Sequence, residues 1–179
     1  YQDKYRQREI MSEEHDAVDL IINQWREQRP DLQNLEAMAL LGRMTRCFQL
    51  VQKQMSENFR RHGLQLGEFD VLASLRRSGP PYTLAPTALF STLMVSSGTM
   101  THRLQGLEKQ GLIERIADPE DARRILVRLS PAGLACVDAV VVDHLANEEN
   151  LLEGLDATQR QSLDTLLRDW MRLLESRPA

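Results

Sequence analysis

Four polar side chains that could contact a nucleic acid share the outer face of one predicted helix: Ser97, Thr99, His102 and Arg103. Small and polar side chains allow a helix backbone to approach base edges in the DNA major groove, which is about 12 Å wide. The N–H groups at the start of such a helix suit a phosphate, and Arg103 suits either a guanine or a phosphate. The pattern predicts a helix that contacts DNA.

A second charged group lies in a polar turn further along the chain, at residues 118–124. Arg123 and Arg124 come at the end of this turn. An arginine on a narrow projecting loop suits the minor groove, where negative potential is concentrated. Asp121 could accept a hydrogen bond from Arg123 and hold its guanidinium in place. We therefore expect Asp121, Arg123 and Arg124 to form a second DNA contact.

Hydrophobic periodicity indicates which elements position these two groups. It predicts helices at 67–77, 86–94 and 97–110, followed by β-rich segments at 112–116 and 124–129 that form a two-stranded hairpin. A helix, a break, a second helix and then a hairpin is the winged helix-turn-helix arrangement. The predicted fold class is therefore mainly α with a small β-hairpin wing, flanked by N- and C-terminal helices.

The flanking helices carry long apolar stripes. On the N-terminal side, one amphipathic helix ends at Pro30 and a longer one covers 34–62. On the C-terminal side, one helix begins at Pro131, and a variant capping box at 156–159 begins the last. The last helix is expected to bury five apolar side chains: Leu163, Leu166, Leu167, Trp170 and Leu174.

Composition and motifs argue against several functional classes. Acidic residues outnumber basic ones, 26 to 22, so any DNA site must be a local patch. The chain has no motif typical of a nucleotide-binding enzyme, a metalloprotease or a serine hydrolase, so we expect no enzyme and no cofactor. The histidines are scattered, and a solvated helix face explains the pair His144 and Glu148, so no metal site is expected. Without a signal peptide or membrane span, the expected location is the cytoplasm.

The most specific segments lie between the first predicted DNA-region helix and the start of the helix after the hairpin: Gly67–Leu72, Ser97–Leu104, Leu107–Glu108, Gly111–Arg115, Asp118–Arg123, Val127 and Leu129–Gly133. These segments resemble the MarR family of bacterial regulators, and the resemblance extends over residues 34–175. It implies an obligate homodimer with interleaved terminal helices and two winged lobes that bind a pseudo-palindromic operator in double-stranded DNA. Repression relieved by a ligand is the usual mode. Two departures are Ala122, where many members have arginine, and Ala85, where Thr or Ser is usual.

The resemblance assigns roles to three regions of the chain. Residues 1–62 are the N-terminal helices, for dimerisation and a candidate ligand pocket. Residues 63–130 are the winged helix-turn-helix DNA-binding region, and 131–179 are the C-terminal dimerisation helices. The apolar stripes agree with a dimer, because they exceed what one small winged lobe can cover.

The resemblance also implies a small-molecule ligand. Members of the family often bind aromatic or phenolic anions, and the urate-responsive branch uses a tryptophan on an added N-terminal helix, an aspartate and two arginines. The matching residues are Trp25, Asp70, Arg103 and Arg115. Two guanidiniums can neutralise a planar anion, and an indole can stack on it. Against this interpretation, much of the family has the same residues at the positions of Asp70 and Arg103, so they do not single out the urate-responsive branch. Simple packing on an apolar helix face also explains Trp25.

Two alternative functions stay open at this point. A regulator that senses oxidative stress through a thiol would use Cys47, although that residue lies in an apolar stripe, where a small hydrophobic residue is the usual explanation. A helical adaptor that does not bind DNA is the other alternative. The polar helix face and the arginine-bearing hairpin argue against an adaptor.

Overall fold

The computed structural model describes residues 15–93, 96–121 and 123–177. The predicted helix end at Met94 and the departure at Ala122 lie outside these residues. The chain divides into two compact units, one ending at Lys53 and the other beginning at Gln54. The division into functional regions at 1–62, 63–130 and 131–179 concerns roles rather than compactness, and it stays a prediction. None of the described helices is long and apolar enough to cross a membrane.

In the first unit, a capped helix is pinned by a charged contact. Helix α1 spans Ala17–Gln28, and helix α2 spans Leu35–Arg61 and continues into the second unit. Asp16 caps α1 by accepting the N–H groups of Val18 at 2.7 Å and Asp19 at 3.0 Å. Arg43 on α2 donates to both Asp16 and Asp19. The Arg43 hydrogen bond lowers the pKa of Asp16 to about 2, and these contacts hold α1 to α2.

The first unit leaves much of its apolar surface exposed. A small core contains Val18, Ile22, Leu35 and Ala39. Beside it lies a groove of about 430 Å³, lined mainly by apolar side chains together with Thr45 and Arg46. The predicted apolar stripe of α2 is exposed in the single chain: Leu40, Leu41, Met44, Cys47, Phe48 and Val51.

The second unit contains the predicted helix–break–helix. Helix α2 ends at Arg61, and Gly63 follows it with a φ of 71°, which allows the Leu64 N–H to reach the Phe59 carbonyl at 3.0 Å. Helices α3, α4 and α5 follow at Leu66–Arg77, Pro86–Leu93 and Ser97–Lys109. The core that joins them contains, among others, Phe59, Phe69, Leu72, Leu75, Leu89, Met100, Leu104 and Leu107. The predicted helix positions in this region are therefore confirmed.

The hairpin belongs to a sheet of three strands rather than two. Strand β1 is Thr83–Leu84, β2 is Ile113–Ala117 and β3 is Ile125–Leu129, in the antiparallel order β1-β3-β2. The β2–β3 pairing agrees with the predicted hairpin. The prediction missed β1, because a two-residue strand is too short to show any alternation.

Two long helices complete the second unit, α6 at Pro131–Leu151 and α7 at Ala157–Glu175. The predicted capping box of α7 is present, since Asp156 and Gln159 each accept the other's backbone N–H. The expected burial along α7 is wrong for the single chain, because its leucines are exposed by 44–69%. Trp170 is only half-buried. An amphipathic stripe predicts that a helix face will be covered, but not whether its own chain covers it.

Candidate nucleic-acid interface

Helix α5 presents a polar face and buries an apolar one. Met100, Leu104 and Leu107 are buried in the core. The Ser96 hydroxyl caps the helix by accepting the Thr99 N–H at 3.3 Å. Three of the four predicted DNA contacts on this helix are exposed: Ser97, Thr99 and His102. The outer face of α5 therefore has the composition and accessibility that a recognition helix needs.

Arg103 has a different environment from the other three. Its side chain is half-buried, and its guanidinium lies against Gly67 on α3. A Cβ at Gly67 would lie within 2.5 Å of the Arg103 Nη2 and closer still to Cζ and Nε. In this arrangement the arginine contacts the body of the winged helix, and DNA contact by Arg103 stays a prediction.

The turn between β2 and β3 holds two arginines on one carboxylate. Arg123 Nε and its backbone N–H both donate to Asp121 Oδ1 at 3.1 Å, as the sequence predicts. Arg124 Nε lies 3.6 Å from Asp121 Oδ2. The hydrogen bond from Arg123 is the largest cause of a lowered pKa at Asp121. The Arg123 side chain is nonetheless 91% exposed, so its charge is oriented and accessible.

The predicted ligand residues of the second unit are only partly brought together. Asp70 on α3 is half-buried, and burial raises the pKa of its carboxyl. Arg103, Arg77 and His144 all act in the opposite direction and lower that pKa. Arg103 therefore acts electrostatically on the Asp70 carboxyl, and their shared role in an anion site stays a prediction.

Arg115 is engaged elsewhere. Its Nε lies 3.0 Å from Glu108 Oε2 on α5, and both side chains are partly exposed. An anion that uses Arg115 must therefore compete with Glu108. Trp25, the remaining predicted ligand residue, is 40% exposed on α1 in the first unit.

Sequence reasoning missed Glu108, Gly67 and His144. Pairing of Glu108 with Arg115 depends on the packing of a helix end beside a strand, which spacing alone does not reveal. The solvated-face explanation of His144 is wrong: its side chain is only 13% exposed, although it does pair with Glu148 at 3.2 Å. Its ring packs against Phe59 and Phe69, which lie on other elements and gave no local signal.

The thiols and candidate metal ligands are also defined. Cys47 is exposed on α2, whereas Cys136 on α6 is half-buried, and burial raises the pKa of its thiol. Among the residues that the structure describes, no three His, Cys, Asp or Glu side chains are grouped so that they could hold a metal ion.

Comparison with known proteins agrees with this geometry. A model of the MarR family matches residues 64–125, from the end of α2 to the start of β3. The HTH-type transcriptional regulator PecS of Dickeya dadantii is 35% identical over 147 residues, which are 82% of this chain and 88% of PecS.

Two solved structures share the architecture. A variant of Escherichia coli MarR in complex with operator DNA has a TM-score of 0.67 and 25% identity, over 77% of this chain and 98% of that one. BpsR of Bordetella bronchiseptica, whose DNA binding is regulated by 6-hydroxynicotinic acid, has a TM-score of 0.64 and 23% identity, over 72% and 89% of the two chains. At that identity BpsR supports the fold alone.

Two findings identify the protein family of this chain. The winged helix matches the family model, and a relative is 35% identical over most of both chains. The chain belongs to the MarR family, and it is a DNA-binding transcriptional regulator, not an enzyme.

Proposed function

We propose that a homodimer of this chain is a repressor that binds a pseudo-palindromic operator and is released by a small aromatic anion. The observation that carries the proposal is the oriented, exposed Arg123 at the wing tip, on the same lobe as the exposed polar face of α5. Both DNA and aromatic metabolites are available in the cytoplasm, where we place this activity.

The DNA contacts divide between the two grooves. Ser97, Thr99 and His102 are exposed on α5 and are assigned to base edges and phosphates in the major groove. Arg123 is assigned to the minor groove, with Asp121 restricting its rotamers before DNA arrives. Arg124 shares that carboxylate and supplies a second positive charge for a phosphate.

A second copy of the chain accounts for the uncovered apolar surface. The exposed leucines of α7 and the apolar stripe of α2 form large patches that a stable monomer seldom presents to water. Their burial against a partner would bring together two winged lobes. Helix-turn-helix dimers bind half-sites one helical turn apart, about 34–36 Å, so an operator with twofold symmetry is expected.

A planar anion is the proposed inducer, with Asp70, Arg103 and Arg115 as its contacts in the second unit. Arg103 and Arg115 supply two guanidiniums, and Asp70 holds Arg103 by charge. Urate, salicylate and related phenolic or heteroaromatic acids fit this chemistry. A role for Trp25 in stacking stays a prediction from the resemblance. An inducer must bind the state that does not bind DNA more tightly than the state that does.

The proposal is tested with the promoter fragment upstream of the protein's own gene. We expect a specific complex in a gel-shift assay that survives competitor DNA and is lost on addition of urate or salicylate. Failure to bind this fragment or any duplex selected from a random library would refute the operator-binding function. Binding that persists with every such anion would refute the induction part alone.

One observation favours a second candidate function. Cys47 is exposed in the single chain, as a redox-sensing thiol must be, although the proposed dimer would cover the α2 stripe on which it lies. A peroxide sensor would lose operator binding on treatment with hydrogen peroxide, and a Cys47→Ser variant would keep it. Identical behaviour of the wild type and the variant would exclude this function.

A further inference from the structure

Gly67 on α3 lies directly against the side chain of Arg103 on the recognition helix. A Cβ at this position would lie within 2.5 Å of three guanidinium atoms of Arg103, whereas real Cβ contacts essentially never fall below 3.0 Å. The Gly67 backbone does not have a positive φ, so conformational freedom does not explain the glycine. Within a helix, a glycine lowers stability by roughly 0.5–1 kcal/mol relative to an alanine. The missing side chain therefore creates space that Arg103 fills.

A second close approach on the same pair of helices runs in the opposite direction. A Cβ at Gly106 on α5 would lie 2.7 Å from Glu68 Oε1 on α3. Glu68 is buried, and its Oε2 accepts the Gln65 N–H at 2.9 Å. Gln110, the residue directly after α5, has its Nε2 3.4 Å from the Glu68 Oε1. Arg103 of α5 thus packs over Gly67 of α3, and Glu68 of α3 packs over Gly106 of α5. The second contact fixes the position at which Gly67 meets α5.

We infer that Gly67 is a positioning residue for Arg103: the guanidinium packs directly on the Gly67 Cα, and this contact determines the orientation in which α5 meets DNA. The same contact keeps the guanidinium beside Asp70. A methyl group at residue 67 forces the guanidinium out, since ordinary van der Waals contact begins at 3.4 Å. This inference rests on the proposed operator-binding function only for the second of its two tests.

The first test needs no DNA. Carboxyl carbon NMR titration measures the pKa of Asp70 in the wild type, Gly67→Ala, Arg103→Ala and the double variant. Because Arg103 lowers this pKa, we expect it to rise in Gly67→Ala and in Arg103→Ala. Adding Gly67→Ala to Arg103→Ala should change nothing further. Arg77 and His144, which also lower the pKa, are present in all four proteins.

The matched control is Gly98→Ala. Gly98 lies on the same recognition helix, and a Cβ there would have no atom within 4 Å. It should leave the pKa of Asp70 at the wild-type value. The inference is overturned if Gly67→Ala leaves that pKa unchanged, or if it shifts the pKa equally with and without Arg103.

The second test is a double-mutant cycle on operator affinity, with a duplex selected from a random library by the wild-type protein. We expect Gly67→Ala to weaken binding about tenfold and to have no effect when Arg103 is already alanine. An equal loss in both backgrounds would mean that Gly67 acts through something other than Arg103. If the wild type binds no duplex, the proposed function fails, and the NMR test still decides the role of Gly67.

Circular dichroism and thermal unfolding check each fold. Alanine favours the helix at residue 67, so helix content should be retained. If Gly67→Ala alone does not fold while the double variant does, the obstruction is Arg103 itself, as the inference states. If neither folds although Arg103→Ala does, residue 67 contacts something else and the inference is wrong.

Discussion

Replacing Glu108 by glutamine should strengthen anion binding. In the structure Arg115 is paired with Glu108 at 3.0 Å, so its guanidinium must leave that carboxylate before it can neutralise a ligand. Glu108→Gln keeps the size of the side chain and removes its charge. Arg115 is then released from a charged partner, and an incoming anion no longer competes with the carboxylate of Glu108.

The size of the effect follows from the exposure of the pair. Arg115 and Glu108 are 35% and 43% exposed, and an ion pair in such a position contributes about 0.2–1 kcal/mol. The dissociation constant for the anion should therefore fall by a factor of up to about five. Arg115→Ala removes a charged hydrogen bond worth about 1.5–3 kcal/mol and should raise the constant at least tenfold. Both variants should still bind the operator.

The assay is calorimetric titration of the purified protein with urate and with salicylate, followed by anisotropy of labelled operator DNA. Glu114→Gln is the matched control, because Glu114 precedes Arg115 on β2 and pairs with Arg128 of β3 at 2.7 Å. It should leave anion affinity unchanged. If Glu108→Gln and Arg115→Ala both bind every anion as the wild type does, Arg115 lies outside the anion site.

Three further predictions concern assembly and stability. Deleting residues 156–179 removes the exposed leucines of α7, so light scattering should show a monomer and specific DNA binding should be lost; a truncated protein that stays dimeric places the interface elsewhere. Ala85→Ser before α4 supplies an absent N-cap and should raise the free energy of unfolding by about 1 kcal/mol in thermal denaturation. The pKa of Asp16 is lowered from 3.8 to about 2 by Arg43, so its stabilisation of α1 is full above 3.8 and is lost as the pH falls through about 2. Amide NMR signals of α1 should show this acid transition in the wild type, and in Arg43→Ala the transition should move to higher pH, because the largest cause of the lowered pKa is gone while the cap to Val18 and Asp19 remains.

Local patterns predicted the elements of the winged helix well. Helix α5 was predicted because Met100, Leu104 and Leu107 repeat at helical spacing, and its buried face agrees with that pattern. The hydrogen bond between Asp121 and Arg123 was predictable, since it joins residues two positions apart within one turn. Such signals are contained in short segments and need no knowledge of the tertiary structure.

Features that depend on packing between distant segments were not predictable. The direction of Arg103 depends on Gly67, which lies on another helix, and the burial of His144 depends on Phe59 and Phe69. The exposed stripe of α7 shows the same limit in another way. Its periodicity specifies an apolar face, but no part of the chain that the structure describes covers that face.

A matched pair of arginine variants decides whether the winged lobe binds operator DNA through its wing. Arg29 pairs with Asp31, two residues away, at 2.6 Å, and Arg123 pairs in the same way with Asp121 at 3.1 Å. Arg29, however, lies outside the winged helix. Affinity for the operator is measured by anisotropy over a range of salt concentrations for Arg123→Ala and Arg29→Ala. Arg123→Ala is expected to weaken operator binding by about 1–3 kcal/mol and to lower the steepness of the salt dependence by about one unit, because one positive charge that displaces counterions from the DNA is lost. Arg29→Ala should bind as the wild type does, whereas equal affinities for all three proteins would show that the wing does not contact the operator.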